Sequence, residues 1–174
     1  MAEADRADLT EDLVISTGGW HPAYARVVLL VADEDVAIAL VDGNGDGSEL
    51  EMEYWFKDAN GWAGGQSSGE GPLGTMRWTN RWDAGPMVCA VGKGVPGESV
   101  RLRYEGEVCE CTINQFGLWG FVRKVENMDF KHPLPEPLDE PDDIAQARRE
   151  SEARAQVMRE RILETMRRLS PPAE

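Results

Sequence analysis

The sequence predicts a mainly β protein, an antiparallel β-sandwich or jelly-roll-like domain of about eight strands followed by a C-terminal α-helix. Three observations carry this. Tyr24–Ala32 and Asp35–Val41 are Val/Ile/Leu-rich runs of strand length, split by the polar Asp33-Glu34-Asp35. Glu49–Phe56 alternates strictly, with Leu50, Met52 and Tyr54 in one phase and Glu49, Glu51 and Glu53 in the other, the period of a strand with one buried and one wet face. Beyond it, short apolar runs bounded by Gly, Asn and Asp continue to about Phe130 with no amphipathic helix between them, the spacing of an antiparallel meander.

Taken in order, residues 1–19 are acidic and only patchily apolar (Leu9, Leu13, Val14, Ile15), which suits a mobile arm or a short docking segment. Residues 20–130 form the β domain. Asp42-Gly-Asn-Gly-Asp-Gly-Ser48 joins the second apolar run to the alternating one, and its Gly and Asn/Asp residues supply the positive φ angles of a hairpin turn. Gly61–Gly74 is so rich in Gly and Ser that a loop is expected. Thr75–Trp82, Met87–Val91, Val100–Tyr104, Val108–Ile113 and Leu118–Val125 read as the remaining strands.

Residues 131–141 carry Pro133, Pro135, Pro137 and Pro141. Spaced prolines favour an extended polyproline conformation, so a semi-rigid spacer is expected. Residues 142–169 then read as a helix, with Asp142 and Asp143 at its start and Arg167 and Arg168 at its end, both favourable to the helix dipole. At 100° per residue Ile144, Ala155, Met158, Ile162, Met166 and Leu169 fall on one narrow stripe, closer to a coiled-coil seam than to the broad face of a core helix. Arg148 and Ser151 weaken its first half. Residues 170–174 are a tail.

The chain of 174 residues carries 32 acidic and 18 basic side chains, a net charge of −14. That balance argues against nucleic-acid or anionic-membrane binding, which require a basic footprint. No apolar run reaches membrane-spanning length, and the first residues lack the basic and apolar regions of a signal peptide, so a cytoplasmic protein is expected. Arg outnumbers Lys, and Ala, Gly and Asp are frequent, a bias resembling that of high-GC bacterial proteins. The three cysteines, Cys89, Cys109 and Cys111, are an odd number with no zinc-ligand spacing, and they read as small apolar groups of the core.

Several motifs require weighing against their surroundings. Asp42, Asn44, Asp46, Gly47 and Glu53 match the calcium-loop pattern D-x-[DN]-x-[DN]-G-x5-E, and hard Ca²⁺ is suited by clustered carboxylate and amide oxygens. Helices flank such a loop in an EF-hand, whereas strands are expected here, so the turn reading leads and a non-EF-hand Ca²⁺ site is the alternative. Gly69-Glu-Gly71-Pro-Leu-Gly74 matches G-x-G-x-x-G without the helix that would receive a phosphate. Gly65-Gln-Ser67-Ser-Gly69 matches the hydrolase nucleophile elbow, and Asp129 and His132 follow in triad order, but the elbow needs a strand entering a helix. The carboxylates of 49, 51 and 53 and of 105, 107 and 110 read as solvated strand faces rather than glycosidic pairs. Six tryptophans fit core and cap positions, with sugar stacking as the alternative.

The resulting expectation is a non-catalytic protein with no cofactor, an adaptor, inhibitor or immunity-type protein, or a subunit of a larger assembly. It binds a different protein or a second copy of itself through Ala155, Met158, Ile162, Met166 and Leu169. The alternatives are a Ca²⁺- or carbohydrate-binding module, a small hydrolase using the Gly/Ser stretch, and, for the helix, packing of its second half on the β domain.

Overall fold

The computed structural model describes residues 8–68, 74–78, 86–126, 132–139 and 142–169, at some positions the backbone alone. The chain is mainly antiparallel β. It divides into two units, residues 1–138 and 139–174. In chain order, the first contains α1 (Glu11–Thr17), β1 (Arg26–Asp33), β2 (Val36–Asp42), β3 (Leu50–Asp58), β4 (Gly61–Ser68), β5 (Gly74–Trp78), β6 (Met87–Lys93), β7 (Ser99–Tyr104), β8 (Glu107–Thr112), β9 (Leu118–Lys124) and β10 (Glu136–Pro137); the second contains α2 (Asp142–Leu169).

Among the described residues the strands form three open sheets. The first is ordered β1-β2-β3-β4, the second β5-β6-β9 and the third β10-β7-β8. Every pairing is antiparallel, with Leu40 opposite Met52, Cys89 opposite Val122 and Leu102 opposite Cys109. Period-2 alternation assigns each phase of a strand to a different apolar cluster. Val36, Ile38 and Leu40 of β2 join Met52, Tyr54 and Phe56 of β3 against Met87, Cys89, Val91, Leu118 and Val122 of the second sheet. Val88, Ala90, Trp119 and Phe121 point the other way, onto Leu102 and Tyr104 of the third sheet. Ala37, Ala39, Val41 and Trp55 leave the first sheet on its opposite face and pack with Val14 of α1, Leu9 and Trp20.

Both faces of the first sheet are therefore covered, which corrects the expected wet face of Glu49, Glu51 and Glu53. Glu49 is exposed and Glu51 half-buried, but Glu53 is 1% exposed. The cover is the N-terminal segment. Thr10 caps α1 by accepting a hydrogen bond from the Leu13 amide, Glu11 and Asp12 sit in the first turn, and Val14 is completely buried. A helix of seven residues has no stability of its own in water, so its apolar contact with the sheet is what holds it. Leu9 and Val14 are thus part of the apolar cluster on this sheet.

Two further departures have a physical reason. The Gly/Ser stretch expected as a loop is β4 over residues 61–68, paired with β3. Its glycines mark a close approach rather than a turn: a Cβ on Gly64 would lie 2.3 Å from the Trp55 ring. The same arrangement recurs where Trp119 lies on Gly92, at 2.3 Å, and Trp20 on Gly43, at 2.9 Å. Likewise, the proline run is not wholly a spacer. Pro135 is buried and Leu134 packs under the third sheet. Glu136 and Pro137 pair with Arg103 and Leu102, and the Leu138 amide donates to the Arg101 carbonyl at 2.8 Å. An edge strand tolerates proline because one side of its ladder goes unused.

Candidate functional site

The residues expected to bind a partner lie on α2, which runs 28 residues, about 42 Å at 1.5 Å per residue. Its composition explains its persistence: Ala, Arg, Glu, Gln, Met and Leu are strong helix formers, and neither Gly nor Pro interrupts it. Local side-chain bonds support it. Gln146 donates to Glu150 and Gln156 to Glu160, both at 3.0 Å, and Arg168 pairs with Glu164. Against this polar surface Met158 is 65% exposed, Ile162 53% and Val157 49%. Met158 and Ile162, four apart, share the stripe that the sequence marks, whereas Val157 lies off it on another face of the helix. Of Ala155, Met166 and Leu169 the backbone positions are given, and these continue the same helical face.

The Asp42 turn is organised from within. Asp42 is fully buried; its Oδ1 accepts from the Gly45 amide and its Oδ2 from the Gly47 amide, each at 2.9 Å, while Arg26 reaches Oδ2 at 3.0–3.1 Å. Gly45 and Gly47 have φ near +78° and +79°, the left-handed conformation that glycine adopts without strain. Asn44 Oδ1 accepts from the Asp46 amide, and Asp46 Oδ1 accepts from the Ser48 amide at 2.8 Å. The hydrogen bonds from Ser48, side chain first, hold the Asp46 carboxyl below the usual carboxylate range. Glu53, the distal member of the calcium pattern, is not brought to these oxygens. Its Oε1 accepts from Trp20 Nε1 at 2.7 Å and its Oε2 from Trp55 Nε1 at 3.0 Å. Among the described residues no three His, Cys, Asp or Glu side chains converge as metal ligands.

Glu53 is the feature that sequence reasoning missed. Burial raises its pKa, opposed by the two indole hydrogen bonds. Its signal was present: Trp55 is in phase with Glu53, and the neighbouring β2 is apolar in both phases, so that face had to be covered. Beside it, Glu11, Asp12, Ile15, Ser16, Trp20 and Arg26 help line a groove of about 310 Å³ between α1 and β1.

The remaining look-alike residues lie apart in the fold. Ser67 is in β4, paired with Glu53 in the first sheet, and the next described element is the strand β5. His132 Nε2 is 2.8 Å from the Tyr104 hydroxyl and 3.7 Å from Glu105, beside the third sheet; Asp129 and Gly69–Leu73 lie outside the described residues. Burial pushes the Cys89 thiol up to about 12, an unreactive state, and Cys109 and Cys111 are half-buried on β8 of the third sheet.

Among the described residues no helix is long and apolar enough to cross a membrane. No family model, curated protein or solved structure matches the chain.

Proposed function

We propose that this protein is a non-catalytic, acidic interaction module of the cytoplasm: an adaptor, an inhibitor or a subunit of a larger assembly. Residues 1–138 are read as a sandwich-like body whose sheets share apolar interiors, and α2 is its binding element. The observation that carries this reading is the exposure of Met158, Ile162 and Val157 on one long helix. Left in water such side chains forgo their burial, and covering a side chain of this size with another chain contributes about 1.5–3 kcal/mol. The net charge of −14 disfavours nucleic acid and anionic membranes as that partner.

The alternatives draw less support. Sugar stacking calls for open indole faces, whereas Trp55 and Trp119 are buried. A Ca²⁺ site would have to recruit Asp42 oxygens that already accept backbone amides. The test is Ile162→Asp with Met166→Asp, followed by light scattering and partner capture. The expected outcome is loss of the associated chain with unchanged melting of the β domain. Unchanged mass and partners, together with lowered melting, would overturn the reading.

A further inference from the structure

We infer that the chain bound by α2 is a second copy of this protein, with the two helices running antiparallel over their full length. This rests on α2 being the binding element.

The argument starts from spacing. Positions 144, 148, 151, 155, 158, 162, 165 and 169 of α2 recur at alternating steps of four and three, the seam of a coiled coil. Its occupants are Ile, Arg, Ser, Ala, Met, Ile, Thr and Leu. In parallel register each faces itself, so Arg148 meets the partner's Arg148 and Ser151 meets the partner's Ser151. In antiparallel full overlap Ile144 meets the partner's Leu169, Arg148 its Thr165, Ser151 its Ile162 and Ala155 its Met158. Large residues then face small ones through the centre, and no arginine faces its own copy.

Charge points the same way. Residues 142–155 hold four acidic and three basic side chains, and residues 156–169 two acidic and four basic. Antiparallel pairing sets the acidic half of each helix against the basic half of the other and opposes the two helix dipoles. It also brings Glu152 opposite the partner's Arg159, twice by symmetry; the like-charge pairing flanking the seam is Arg154 with the partner's Arg161. Finally, residues 1–138 carry 23 acidic and 11 basic side chains and precede α2 directly. Parallel helices would tether both acidic bodies at one end. Antiparallel helices tether them at opposite ends of a rod of about 42 Å, well beyond the Debye length of about 10 Å at 0.1 M salt.

The experiment uses the full chain and sedimentation equilibrium over a micromolar to submillimolar range. The expected result is a monomer–dimer equilibrium that Ile162→Asp abolishes, that Glu152→Arg weakens about tenfold, and that Glu152→Arg combined with Arg159→Glu restores. Arg154→Glu, which removes the like-charge pairing, tightens the dimer. Melting of the β domain, followed in parallel, stays constant in every variant. A monomer at all concentrations overturns the inference, as does a dimer indifferent to Ile162→Asp; a dimer that Ile162→Asp abolishes but the charge exchange fails to restore overturns the antiparallel register. The broader reading has a separate readout. If the protein is monomeric and Ile162→Asp still removes a captured partner from extracts of the native host, only the second-copy inference fails; if nothing is captured either, both fail.

Discussion

The two helices answer opposite questions about what makes a helix stay. α1 has seven residues, too few to persist alone, and it is held by a cap at Thr10 and by Val14 buried against the first sheet. α2 has 28 residues, enough good helix formers to persist by length and local pairing, and it presents Met158 and Ile162 to solvent. Burial makes the first helix part of the body, whereas the second keeps apolar side chains exposed, which is the basis of its proposed binding role. Propensity and packing thus divide the work of the chain, and each helix shows what the other lacks.

The sharpest way to break this contrast is to put the same charge on both helices. Val14→Asp would bury an unpaired carboxylate and is expected to cost about 3–5 kcal/mol, lowering the melting temperature by about 10 °C or more. Ile162→Asp, on α2, is expected to leave melting of the β domain within about 1 °C. Calorimetry on the two variants decides it, and equal losses would erase the distinction.

A smaller effect is expected at the latch beside α1. Trp20→Phe removes the donor to Glu53 Oε1, one oxygen of a buried carboxylate, a loss of about 1–3 kcal/mol. The wild type should also show a pH signature. Because burial raises the Glu53 pKa above its ordinary 4.5, the folded state keeps a proton that the unfolded chain has released between those two values. This stabilisation is fully present below the ordinary value and is lost as pH rises through the raised one. Denaturant midpoints across that interval should fall with pH in the wild type and lose this component in Glu53→Gln.

Hydrogen exchange sharpens the comparison further. Amides of α2 are expected to gain protection as protein concentration rises, whereas those of α1 and β2 are expected to hold theirs constant. Concentration-independent exchange in α2 would contradict a self-associating helix. The smallest expected change belongs to the Asp42 turn. Millimolar Ca²⁺ should leave the melting temperature where it is, since a site filled at 100 times its dissociation constant would add about 2.7 kcal/mol. A shift of several degrees that disappears in Asp42→Ala would establish a Ca²⁺ site.

Much of the β architecture could be read directly, because periodicity and turn chemistry act locally. The runs around Val28 and Ile38, the alternation of β3 and the Gly/Asp turn at 42–48 each mark their element without help from distant residues. The misreadings arose where a distant partner decides. Glu53 looks solvated until α1 and Trp20 are placed over it. Gly61–Ser68 looks like a loop until Trp55 requires a neighbour without a side chain. Pro137 looks like spacer until β7 offers it an edge. The α2 stripe is legible for the same reason as β3, because helical periodicity is also local.

The tryptophan–glycine contacts also bear on how this sequence can change over generations. Since a Cβ at position 64 or 92 would enter an indole ring, Gly64→Ala and Gly92→Ala are blocked while Trp55 and Trp119 stand, and open once those rings are replaced by smaller groups. The order of substitution is therefore fixed: the ring yields first, and the glycine follows. Related chains, however far they have drifted, should lose these tryptophans and glycines in pairs.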